Sequence, residues 1–185
     1  MRDSHSEILT CIKTKALAAV GGAAIDCANL ALQSIAQCCE ADDVKLSMEV
    51  YSSATSAYIR LKRRDYASAD AFINDLKLKM GAISLFDQNK ITTEKPVADL
   101  VPGEIILYHL PGNAGFTGHT MIVTANDSAA QQVVVAEGHV GGGSPTAGTY
   151  TYAELPTKFD DIPNSAFKGG RKWNWSNIVD NTDSN

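Results

Sequence analysis

The chain has 185 residues, of which 44% are hydrophobic and 20% charged, with a formal net charge of −5. Such a chain can bury a sizeable core, and its composition is that of an ordinary soluble globular protein. The acidic balance argues against a nucleic-acid binder, which must neutralise phosphates, and the short basic run Lys62-Arg63-Arg64 reads as a solvated helix end.

The start, "MRDSHSEILTCIKTK", is polar and lacks the apolar segment that follows the basic residues of a secretory leader, so synthesis in the cytoplasm without a Sec signal is expected. Ile8, Leu9, Ile12 and Leu17 are spaced for a first helix, punctuated by Gly21-Gly22. The apolar stretch from Ala16 to Cys39 carries Asp26, Asn29, Gln33 and Gln37, which excludes a membrane span. From Cys27 onward, Leu30, Ala31, Ser34, Ile35 and Cys38 fall on one face of a second helix. A weaker helix is predicted over 42–64, with Val44, Met48, Tyr51, Thr55 and Tyr58 on one side. Ser68 then caps a shorter helix with core positions Ala69, Phe72, Ile73, Leu76 and Met80, stopped by Gly81.

After Pro96 the character changes. "GEIILYHL" (103–110), "HTMIVTA" (119–125) and "QQVVVAEGHV" (131–140) are rich in Val, Ile, Tyr and Thr and are separated by turns, as strands are. "GTYTYAEL" and "GRKWNWSNI" predict edge strands, "GGGSP" (141–145) a mobile loop and "NTDSN" a frayed tail. Helices followed by an antiparallel meander describe one α+β domain over 1–185, helical over about 5–81 and sheet over about 103–178.

Without a leader, the four cysteines are expected to be free thiols. Cys38 and Cys39 are adjacent and do not suit each other as bridge partners, and no Cys-x-x-Cys pair suggests zinc. Cys11, Cys38 and Cys39 read as buried structural thiols. Cys27 stands apart, directly after Asp26 at a helix start, where unpaired N–H groups and positive potential favour a thiolate. A nucleophilic thiol also needs a base. On alternating strands His119, Met121 and Val123 share a face, as do Val133, Val135, Glu137 and His139. If these strands pair through "NDSAA", His119 lies near Glu137 and His139. His119 would then be the base for Cys27, with Glu137 or His139 orienting its ring and helix-start N–H groups facing an oxyanion.

Plainer readings stand beside these: a buried thiol for Cys27, a backbone-bonded histidine for His119, and an exposed strand-end pair for Glu137 and His139. Two histidines and a carboxylate could also ligate a metal, but no His-x-x-x-His spacing or acidic loop supports that, and no cofactor motif appears. Trp173, Trp175, Tyr150 and Tyr152 are candidates for a cleft lining, with core or edge packing the plainer reading; His109 faces an undetermined direction and is expected to be replaceable.

The order of these motifs resembles the papain-like NlpC/P60 and CHAP amidases, which cleave peptidoglycan peptides. In that superfamily an Asp-Cys-small-x-Leu helix start carries the nucleophile, as Asp26-Cys27-Ala28-Asn29-Leu30 would here. A Pro-Gly-Asp-Ile strand start is matched by Pro102-Gly103-Glu104-Ile105, and the Gly-His-x-x-Ile-Val stretch with the base by Gly118-His119-Thr120-Met121-Ile122-Val123. The third residue follows on the next strand, as Glu-x-Asn or as a lone His, and Glu137-Gly138-His139 mixes the two. Glu137 is favoured because His139 abuts the Gly141-Gly142-Gly143 run, whereas an orienting residue belongs on a rigid element. The resemblance covers roughly residues 20–140, and the long stretch between Cys27 and His119 reads as an enlarged helical layer.

What the resemblance implies is a papain-like fold and a cysteine amidase or endopeptidase acting on a stem peptide or cross-link. Small single-domain members without a leader act as type VI secretion effectors in a rival's periplasm, each matched by a cognate immunity protein. A phage-type CHAP endolysin, a papain-like protease or deamidase acting on a protein target, and a non-catalytic binding domain are the alternatives.

Overall fold

Ile8, Ile12 and Ala16 recur every four residues and are fully buried, and this stripe draws Ser4–Ala19 into helix α1, with Leu17 left 44% exposed on its outer side. The computed structural model describes residues 4–52, 55–85, 90–112, 115–139 and 143–180; "NTDSN" and positions 141 and 142 of the 141–145 loop lie outside them. Helix α2, Cys27–Ala41, is buried nearly all round, including the expected face of Leu30, Ala31, Ser34, Ile35 and Cys38. Helix α3, Ala69–Lys79, starts at Ser68, whose hydroxyl accepts from the Ala71 N–H at 3.2 Å, and buries Phe72, Ile73 and Leu76.

The predicted helix over 42–64 is instead an antiparallel hairpin of β1 (Ser47–Ser52) and β2 (Ala57–Lys62). The reason is the period. Leu46, Met48 and Val50 alternate into the core with period two, while Tyr51 and Tyr58 pair across the strands on the exposed face, ring centroids 5.4 Å apart. Arg63 follows β2 and opens a single 3-10 turn, Arg63–Asp65, rather than ending a long helix, and its guanidinium forks onto both oxygens of Glu40, each at 2.8 Å.

The main sheet holds β3 (Thr92–Lys95), β4 (Ile105–Gly112), β5 (Gly115–Asp127), β6 (Gln132–Glu137), β7 (Thr146–Thr151) and β8 (Ala166–Trp173) in the order β3-β8-β4-β5-β6-β7, each pairing antiparallel. The β4-β5-β6 meander follows the expected strands. The strand in "GRKWNWSNI", however, is interior, seated between β3 and β4, because the chain returns from residues 152–165 to the free side of β4. A four-residue helix α4, Trp175–Ile178, follows it. The fold class is α+β.

Strand alternation splits the core in two. Ile105, Leu107, Ile122 and Ala136 meet the helices and the hairpin on one face. Ile106, Tyr108, Met121, Val123, Val133 and Val135 face the other way, beneath Leu100, Leu155, Phe159 and Ile162 from irregular chain.

The expectation of free thiols fails for two of the four cysteines. Packing of α1 on α2 brings the Cα atoms of Cys11 and Cys38 to 5.7 Å, within bridging range, and they form a disulfide; Cys27 and Cys39 stay free and buried. Cys38 and its neighbour Cys39 do not bridge each other. Among the described residues no helix is long and apolar enough to cross a membrane.

Candidate active site

The site begins where the chain enters α2. The Ile25 N–H donates to Gly143 O at 3.1 Å and the Gly21 N–H to Pro145 O at 2.8 Å, laying the lead-in along the chain that follows β6. Just beyond β6, Gly138 lies so close that a Cβ on it would stand 2.6 Å from Ile25 O and 2.7 Å from Asp26 C. Only a residue without a side chain lets the two backbones meet there. Asp26 caps the helix, Oδ1 accepting from the Asn29 N–H at 2.8 Å and Oδ2 from the Asn29 amide at 2.5 Å. The cap serves Asn29; the first-turn N–H groups of Cys27 and Ala28 are those it does not serve. The Cys27 thiol, in a residue 4% exposed, donates to Gly118 O at 3.7 Å, the carbonyl directly before His119.

His119 and Glu137 share one face of β5 and β6. Met121 is the cross-strand partner of Glu137, and His119 stands two residues further along that face. Its Nε2 meets Glu137 Oε2 at 2.6 Å in a pair almost closed to solvent, 5% and 7% exposed. Nδ1 is buried and makes no conventional hydrogen bond. With Nε2 committed to the carboxylate, it is the nitrogen left for the thiol, and Cys27 acts on the ring directly. Burial works against the charged imidazole, but Cys27 and Glu137 beside it outweigh that and raise its pKa to about 9. Burial likewise opposes the charge on Glu137, yet His119 and Lys158 draw its pKa down to about 2. Both shifts run toward the charged forms, imidazolium for His119 and carboxylate for Glu137.

The second oxygen of Glu137 is also occupied. Oε1 accepts from the Tyr150 hydroxyl at 2.9 Å and from Lys158 Nζ at 3.1 Å. Tyr150 reaches it by folding back along β7 over Gly148, where a Cβ would stand 2.7 Å from the ring. Lys158 also donates to the Tyr150 hydroxyl, and its ammonium lies 4.0 Å from the centre of that ring. Phe159 stands edge-on to His119, centroids 5.2 Å apart, and closes the imidazole against water. Lys158 was missed in the sequence because it sits in an irregular turn where no period marks it; Tyr150, read there as a lining or packing residue, is bonded to the acid.

Of the four candidate residues, Cys27, His119 and Glu137 are brought together, while His139 lies beyond the end of β6, exposed, with its ring against Gly143. His109 is half-buried on β4 opposite Gly118. Of the aromatic candidates, Trp173 and Trp175 line a pocket shared with Thr93, Glu104 and Ser176, which none of Cys27, His119 and Glu137 lines; Trp173 also sets its N–H on Gly103 O at 2.9 Å, Trp175 stacks on His5, and the Tyr152 hydroxyl donates to Asn126 at 2.6 Å. Among the described residues no cluster of His, Cys, Asp and Glu has the geometry of a metal site. A thiol at a helix start, an imidazole paired with a buried acid, and the N–H groups of the helix's first turn can together carry out acyl transfer.

Residues 13–141 match the model of a family described as "Putative amidase domain", a span that holds Cys27, His119 and Glu137 and ends before Tyr150 and Lys158. No curated protein and no solved structure matches the chain.

Proposed function

Because the chain belongs to this amidase family, we propose that it hydrolyses an amide through Cys27, with His119 as general base and acid and Glu137 as the residue that orients and charges the imidazole. The observation that carries the reading is the 2.6 Å bond from His119 Nε2 to Glu137, which leaves Nδ1 to the thiol at the start of α2. The thiol proton resides on Nδ1 while the sulfur attacks the carbonyl carbon. The resulting oxyanion faces the N–H groups of Cys27 and Ala28. As the C–N bond breaks, Nδ1–H protonates the leaving amine and a thioester remains on Cys27. Water, losing a proton to Nδ1, then releases the carboxylic acid and restores the thiol. A cysteine at the start of a helix packed against an antiparallel sheet that carries His119 and Glu137 supports a papain-like reading of the fold.

The substrate proposed is a peptidoglycan stem peptide or cross-link, and the role an antibacterial effector delivered to a target cell's periplasm and countered by a cognate immunity protein. The motif order around Cys27, Gly118-His119 and Glu137 supports this reading. So does the Cys11–Cys38 disulfide, since such bridges persist in oxidising spaces and are rare in a cytosol. The same bridge weighs against a protease or deamidase working in the cytosol.

Purified sacculi incubated with the protein should yield new soluble fragments on chromatography, and Cys27→Ala should yield none. Sacculi left intact by the wild type would remove peptidoglycan as substrate; a fully active Cys27→Ala would remove the cysteine mechanism.

A further inference from the structure

The acid that holds His119 is itself held, by groups that lie outside the stretch matching the family model. A carboxylate in contact with a buried imidazole can rotate about its own axis or take up a proton unless both oxygens are fixed. Here Oε2 serves His119 and Oε1 receives two donors, Tyr150 and Lys158. The Lys158 side chain is only 16% exposed, and its ammonium is spent on these two partners rather than on solvent. Its position is not loose. Leu155 is fully buried, and its carbonyl accepts from the Tyr108 hydroxyl at 2.8 Å. Phe159 packs edge-on against both Tyr108 and His119. The turn that presents Lys158 is thus pinned on both sides to the strands that carry the site.

We propose that Lys158, with Tyr150, is a positioning residue of the site: it clamps Oε1 of Glu137 so that Oε2 stays on His119 Nε2 and Nδ1 stays turned to Cys27. It touches no reacting atom. The inference rests on the reading of Cys27 and His119 as the reacting pair.

The groups facing His119 are Cys27 from α2, Glu137 from β6, Tyr108 from β4 and Phe159; those facing Glu137 are His119, Tyr150 from β7, Lys158 and, as a neutral phenol, Tyr108. Two roles for Lys158 therefore predict opposite signs. If it were only a nearby cation, its removal would leave Glu137 in place and push the His119 titration up. If it clamps the acid, its removal lets the carboxylate leave the ring and the titration falls.

The test is an NMR titration of His119 in the full-length Cys27→Ala protein, with and without Lys158→Met, alongside fragment release from sacculi by the same Lys158 variants with Cys27 intact. Lys158→Met should lower the His119 midpoint by about one pH unit and slow release about tenfold. Lys158→Arg, which keeps charge and donors, should restore most of both. Tyr150→Phe removes one donor, should shift the midpoint down by less, and decides the matter if Lys158→Met does not fold. An unchanged or raised midpoint, or an unchanged rate beside a lowered one, overturns the proposal. The titration needs no turnover, so its outcome is separate from that of the nucleophile assignment, whose failure would show as an active Cys27→Ala.

Discussion

Replacing Gly138 with alanine would add one methyl group where the end of β6 meets the chain entering α2. That methyl would stand 2.6 Å from Ile25 O, 2.7 Å from Asp26 C and 2.8 Å from Asp26 O, all backbone atoms that cannot swing aside. To reach an ordinary contact of about 3.4 Å, the two segments must part by about 0.8 Å at the closest point. The displacement falls between the residue before Cys27 and the residue after Glu137, so it opens the gap between thiol and imidazole almost directly. A misplacement near 1 Å costs on the order of a hundredfold in rate, about 2.7 kcal/mol of barrier, and the overpacking itself costs about 1–3 kcal/mol of stability. Fragment release from sacculi, measured well below the unfolding midpoint, reads the first effect, and urea unfolding reads the second. A Gly138→Ala protein with wild-type rate and stability would refute the claim that this contact sets the distance across the site.

Glu137→Gln keeps the shape of the acid but not its charge and should slow release at least about tenfold, whereas His139→Ala, altering an exposed ring beyond the strand, should change it little; the reverse order would transfer the orienting role to His139. Reducing the Cys11–Cys38 bridge, which spans 27 residues, should cost about 3.5 kcal/mol on the chain-entropy account, seen as a lower urea midpoint in a phosphine reductant and absent from a Cys11→Ser, Cys38→Ser double variant. The His119 pKa is raised above its unfolded value, so its stabilisation is fully present below about pH 6.5 and is lost as pH rises through about 9; that of Glu137, lowered, is present above about 4.5 and lost as pH falls through about 2. Stability followed by urea unfolding should therefore fall between pH 7 and 10, and fall less in Cys27→Ala, where one of the two groups that charge the ring is gone; an alkaline loss undiminished in His119→Gln would contradict this.

How much of this was legible beforehand depended on whether the governing pattern was local. The helix start at Cys27, the buried face from Leu30 to Cys38 and the shared face of His119 and Glu137 all follow from period and neighbour, and each stands where those periods put it. Residues 47–62 misled because Met48, Tyr51, Thr55 and Tyr58 also fit helical spacing; the alternation of Leu46, Met48 and Val50 decides it only once a partner strand supplies the other half of the ladder. The disulfide was hidden because it depends on how α1 lies on α2, a tertiary fact. The interior place of β8 was hidden for the same reason, since a long irregular return determines which strand edge it meets. Lys158 belongs to that return as well. Glu137, favoured partly because an orienting residue belongs on a rigid element, is the last residue of β6, and His139 lies beyond it.

Cys39 sits beside one half of the bridge with its own thiol free. Such a neighbour invites exchange, in which a thiolate attacks one sulfur of the bond and takes its partner through a mixed disulfide. Burial, with Asp42 adding to it, pushes the Cys39 pKa to about 12, so the attacking form is scarce wherever this chain would work. The other free thiol, Cys27, lies eleven positions before the bonded Cys38 on the same helix, about 16 Å along its axis. No side chain spans that distance, and the helix cannot bend to shorten it. Helix α2 thus carries the proposed nucleophile at one end and a bonded sulfur at the other, and acts as the spacer that keeps the first from reaching the second.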